Sequence, residues 1–192
     1  DKGLMQIDEG VQLMKDIPDL DFLLKRSVDL NLFGTKMRSV IGAANSTGIS
    51  KNVKQQFKIG NQIFKHGLIP ILEPEITIGI PDKAEAEIIL KNEIIKQLDT
   101  LPTNQTIILK LTLPEVENHY LELTEHKNVL SVVALSGGYK RSDAIRRLSK
   151  NKSMIASFSR ALTEGLSVQQ SDLEFHNMLE QTINSVYQAS IS

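Results

Sequence analysis

Lys110 lies inside residues 106–112 (TIILKLT), a run otherwise composed like a buried strand. Desolvation there disfavours an ammonium group. A neutral, confined amine is what forms imines with carbonyl substrates. A lysine so placed could also snorkel from a strand end or pair with a buried carboxylate. Carboxylates occur in residues 69–75 (IPILEPE), where Glu73 and Glu75 are two apart and share one side of an extended chain. Lys36 and Arg38 have the same spacing in residues 33–39. Carboxylates beside cations divide acid and base work, because their neighbours push their pKa values apart. Ser136-Gly137-Gly138 follows another apolar run. Its exposed amides can approach an anion closely, and Arg160 can bind the same anion bidentately. Taken singly, these features read as a solvated edge, a strand exit, a turn and a helix-surface arginine. Taken together they read as a site for a phosphorylated carbonyl compound, a sugar phosphate.

The elements that must position these residues follow a βα rhythm. The expected strands are 33–39, 68–72, 106–112, 129–135 and 154–158, apolar nearly throughout, as parallel strands covered on both faces should be. Between them, Val53, Phe57, Gly60 and Phe64 recur at helical spacing, with Gly67 as a stop. Ala84, Ile88, Lys91, Ile95 and Leu98 trace a second helical face, residues 115–126 a third helix and 142–148 a fourth. An early helix is expected over about 20–31. Ser171-Asp172-Leu173-Glu174 has capping-box spacing and opens a final helix. Successive βα units give a parallel sheet, open or closed, in one domain over residues 1–192.

Composition narrows the function classes. The 192 residues are 41% apolar and 23% charged with net charge −1, which gives no electrostatic reason to bind nucleic acid or an anionic membrane. There are no cysteines, which excludes disulfides and thiolate metal sites and fits a reducing, cytoplasmic setting. No apolar run approaches the roughly 20 residues of a membrane span.

In their order and spacing, residues 33–39 (FGTKMRS), 67–75 (GLIPILEPE), 108–112 (ILKLT), 135–138 (LSGG) and 156–162 (ASFSRAL) resemble bacterial class I fructose-1,6-bisphosphate aldolase, the imine-forming type. The resemblance runs over essentially the whole chain. It implies an α/β fold, the (β/α)8 TIM barrel, of which this chain would hold the C-terminal portion, about strands 4–8. It also implies roles: Lys110 forms the imine, Glu73 is the acid/base that dehydrates the carbinolamine, and Glu75 is its neighbouring carboxylate. Lys36 and Arg38 become the basic pair around substrate hydroxyls and phosphate. Ser136, Gly137, Gly138 and Arg160 become the phosphate site. No metal or organic cofactor is implied, the partner is a sugar phosphate, and a homo-oligomer is compatible with the resemblance.

The sequence departs from the family in one large respect. A closed barrel needs eight strands and about 250 residues, so three strands are expected upstream of Asp1, and the resemblance implies that they carry an active-site aspartate and a lysine. These 192 residues alone are therefore expected to turn over little or no substrate. Leu111-Thr112 also stand where animal relatives have proline and asparagine, and the long animal tail with its terminal tyrosine is not seen. Three other readings compete: another Schiff-base sugar-phosphate aldolase, a non-catalytic truncated paralogue that binds sugar phosphates, and an open flavodoxin-like sheet.

Overall fold

The computed structural model describes residues 2–192. Six strands, β1 (Val11–Gln12), β2 (Gly34–Ile41), β3 (Ile69–Ile76), β4 (Ile107–Thr112), β5 (Val129–Leu135) and β6 (Met154–Ala156), lie side by side in chain order. β1 runs antiparallel to β2, and every other neighbouring pair is parallel. The helices are α1 (Leu20–Asp29), α2 (Ser46–Lys65), α3 (Lys83–Leu98), α4 (Leu121–Thr124), α5 (Arg141–Leu148), α6 (Arg160–Thr163) and α7 (Asp172–Ser190). A flavodoxin-like sheet reverses its strand order at a switch point. This sheet does not, so that alternative falls. Among the described residues, no helix is long and apolar enough to cross a membrane.

Right-handed crossovers that always step the same way put their helices on one face. Burial follows that rule. Met37, Ile41, Leu72, Ile76, Leu109, Leu111, Val132 and Ala134 are buried in one cluster with Val53 and Phe57 of α2 and Leu90 and Ile94 of α3. The alternate residues Lys36, Arg38, Glu73, Glu75 and Lys110 share the other face. One face is core, and the other carries the charges of β2, β3 and β4.

Local contacts explain the seating of α2. Asn45 caps it by accepting from the Gly48 amide at 2.9 Å. Ser39 of β2 donates to Asn52 at 2.9 Å and accepts from Gln56 at 2.7 Å, all three buried, so the Ser39 hydroxyl ties the sheet to the helix. A Cβ at Gly60 would lie 3.1 Å from Leu72 Cδ2, which shows how closely α2 approaches β3.

Three local expectations need correction. β3 continues to Ile76 rather than ending near Leu72, so Glu73 and Glu75 are strand residues and Pro74 is tolerated within it. The buried face of α3 is Ala86, Leu90, Ile94 and Leu98, together with Lys83 and Glu87, whereas Ala84 and Ile88 are exposed. Residues 115–126 hold only the single turn α4. Asn118 there is left-handed (φ 60°), a conformation that a helix cannot pass through. Its amide donates to Asn151 and its side chain accepts from the Lys152 amide, each at 2.9 Å, which pins the segment as a loop.

Candidate functional site

The charged residues of β2, β3 and β4 form one connected row. Parallel pairing sets Arg38 opposite Glu73 and Val40 opposite Glu75. Each cation of β2 reaches diagonally to the carboxylate two places further on. Lys36 Nζ lies 2.7 Å from Glu73 Oε2, an ion pair rather than an aligned hydrogen bond, and Arg38 Nε donates to Glu75 Oε2. That hydrogen bond raises the Arg38 pKa above its ordinary value, with burial opposing it. On β3 and β4, Ile71 pairs with Ile108. Two residues beyond, Lys110 Nζ stands 3.5 Å from Glu73 Oε1. Glu73, only 5% exposed, therefore sits between two lysine amines, one on each neighbouring strand.

β3 and β4 pair through backbone only as far as Leu72 and Leu109. Beyond that, Thr112 substitutes for the ladder: its hydroxyl accepts from the Ile76 amide at 3.0 Å and donates to the Ile76 carbonyl at 2.9 Å. This side-chain clasp holds the two strand ends that carry Glu73 and Lys110. The sequence carries no local signal for this role of Thr112.

Ser136, Gly137 and Gly138 lie at the carboxyl end of β5, where the Tyr139 amide closes a turn on the Ser136 carbonyl at 2.9 Å. Both glycines have positive φ, 60° and 107°. A Cβ at Gly137 would meet Ile78 Cγ2 at 2.8 Å and lie 3.5 Å from Thr112 Cγ2, so the turn abuts the ends of β3 and β4. Ser136 is buried. Arg160 starts α6, four residues after β6, and is exposed; its side chain makes no hydrogen bond or ion pair with the described residues. The structure thus joins Lys36, Glu73 and Lys110 by contacts and sets the Arg38–Glu75 pair beside them. It sets Ser136–Gly138 at the next strand end and leaves Arg160 apart from them.

A second cluster was not foreseen. Lys83, 3% exposed, contacts Glu87, the Leu113 carbonyl at 2.9 Å and Glu115 at 3.1 Å. Its sequence trace is slight, a lysine and a glutamate four apart at a helix start, which usually marks a solvated pair.

No family model matches the chain. Curated relatives do, among them three named fructose-bisphosphate aldolase class 1. The chain is 55% identical over 192 residues to that of Synechocystis sp., covering 64% of it, and 56% identical over 191 residues to that of Porphyromonas gingivalis, again covering 64%. It is 50% identical over 192 residues to that of Clostridium acetobutylicum, covering 65%. The chain spans a little under two-thirds of the length of these relatives. From end to end, the chain is identical at half or more of its positions to these class 1 fructose-bisphosphate aldolases.

Proposed function

We propose that this chain carries the imine-forming site of a fructose-bisphosphate aldolase, which cleaves fructose 1,6-bisphosphate reversibly to dihydroxyacetone phosphate and glyceraldehyde 3-phosphate. One observation carries the reading: the buried Glu73 carboxylate lies between the Lys110 and Lys36 amines on the sheet face without helices. Lys110 Nζ attacks the C2 ketone to give a carbinolamine. Glu73 gives a proton to the departing hydroxyl, which leaves as water. The iminium then takes up the electron pair of the C3–C4 bond as the C4 hydroxyl loses its proton, so glyceraldehyde 3-phosphate leaves from an enamine. Protonation at C3 and hydrolysis return free Lys110 and release dihydroxyacetone phosphate. Lys36, beside Glu73, stabilises its carboxylate between proton transfers, while Arg38 and Glu75 brace one another along the substrate. Ser136, Gly137, Gly138 and Arg160 receive the phosphate next to C2.

The same reading makes the sheet part of a single (β/α)8 barrel domain. Sequential parallel strands, a buried apolar outer face and a polar inner face support it, since a barrel's sites lie at the carboxyl ends of its strands.

Borohydride trapping tests the assignment. The full-length protein, incubated with dihydroxyacetone phosphate and borohydride, is expected to gain one reduced adduct that maps to Lys110. The Lys110→Met protein is expected to gain none. A folded protein that takes no adduct at Lys110 would overturn the proposal.

A further inference from the structure

A cluster that starts at the buried Lys83 and Glu87 and runs out to the exposed Glu115 joins two of the strand ends just described. Its three acceptors come from three places: Glu87 on α3 itself, the Leu113 carbonyl just beyond β4, and Glu115 two residues further. Burying an ammonium is costly unless it is paired and hydrogen-bonded, and here each acceptor offsets that cost. Glu87 reinforces the arrangement by accepting from the Glu115 amide at 3.0 Å. Glu115 in turn reaches the next strand. Tyr139, which directly follows Ser136-Gly137-Gly138, donates its hydroxyl to Glu115 Oε1 at 3.0 Å. Arg147 of α5 closes the loop. It bonds Glu115 Oε2 at 3.2 Å and the Pro114 carbonyl at 3.1 Å, and its guanidinium lies 4.4 Å from the centre of the Tyr139 ring.

We propose that Glu115 and Tyr139 are positioning residues that fix the Ser136–Gly138 turn relative to Lys110, and so set affinity for the substrate's phosphate. The inference rests on the aldolase reading, which puts the phosphate at that turn and the imine at Lys110. The cluster touches neither Lys110 nor Glu73. It holds the exit of β4 to the exit of β5, so loosening it moves the phosphate cradle while the amine and its carboxylate stay in place.

The test compares two ketones in the full-length protein, with Lys110 trapped by borohydride. Dihydroxyacetone phosphate uses the turn, whereas dihydroxyacetone, lacking the phosphate, does not. Tyr139→Phe keeps the ring and its stacking on Arg147 and removes only the hydroxyl. Losing one hydrogen bond to a carboxylate is expected to raise the half-saturating concentration of dihydroxyacetone phosphate about five- to tenfold, with that for dihydroxyacetone unchanged. Glu115→Ala is expected to repeat the shift. Glu115→Gln, which keeps an acceptor oxygen, should restore most of the affinity. A merely structural role would move both ketones together. Equal shifts, or no shift in either variant, would overturn the positioning role while the wild-type adduct upheld the aldolase reading. A wild-type protein that takes no adduct from either ketone would overturn both.

Discussion

In the proposed reaction the chemistry turns on Glu73, the one carboxylate among the described residues that pairs with two lysines. Its backbone lies in a strand, so it has little freedom to leave them. That rigidity favours proton transfer to and from a group held at Lys110, where geometry counts before pKa does. Glu73→Gln keeps the shape and removes the exchangeable proton. It is expected to lower kcat by about 10²–10⁴-fold, the range for a lost general acid–base group, and to slow the formation of the trapped adduct. Rapid-quench trapping with dihydroxyacetone phosphate measures this directly. An unchanged trapping rate would take the proton-transfer role from Glu73 and leave it as a counter-ion only.

The elements matter by where they stop. β3 outlasts its backbone pairing with β4, and the Thr112 hydroxyl holds the separated ends together. Past β5, the chain turns sharply through two positive-φ glycines against Ile78. At Gly137 a side chain meets both problems at once, a left-handed backbone and a contact of 2.8 Å. Gly137→Ala is expected to destabilise the fold by about 1–2 kcal/mol from backbone conformation alone, with the contact adding to it. A urea melt of the full-length protein checks this. A midpoint equal to that of the wild type would mean that the turn relaxes freely.

At the scale of the whole molecule, ionisable groups away from the row, from the buried Tyr120 to the half-buried Tyr139 and the exposed Glu115, shape the pH range of the fold. Burial, reinforced by the Glu115 carboxylate, pushes the Tyr139 phenol up to about 12. Burial and the nearby Glu87 raise that of Tyr120 well above its usual 10.0. A raised folded-state value favours the neutral phenol in the fold. That stability is fully present below pH 10, the unfolded value, and is lost as pH rises through about 12. On the acid side, burial acts to raise the Glu115 pKa, but the Lys83 contacts outweigh it and hold it below the usual 4.5. Its contribution is present above pH 4.5 and lost as pH falls through the folded value. Thermal melts across pH are therefore expected to fall off at both ends. Tyr139→Phe should flatten the alkaline limb relative to wild type, and an alkaline limb of unchanged steepness would count against this account.

The sequence by itself determined the βα rhythm and the likeness to class 1 aldolases, and it singled out the candidate site residues. Each of these is written locally, in residue type, two-residue spacing and helical periodicity, and the matches lie within short windows. The approximate bounds of β2, β4, β5, α2 and α7 follow from the same local signals. Only the tertiary structure decided that the charges of β2, β3 and β4 gather on the sheet face opposite the helices, because burial depends on which crossovers the helices take and no single strand records that. It alone joined Glu73 to both Lys36 and Lys110, residues 37 apart in each direction along the chain. It also revealed Lys83 as a buried cation. From sequence, Lys83 and Glu87 look like a solvated pair, and the acceptors that permit their burial, the Leu113 carbonyl and Glu115, come from an element some thirty residues away.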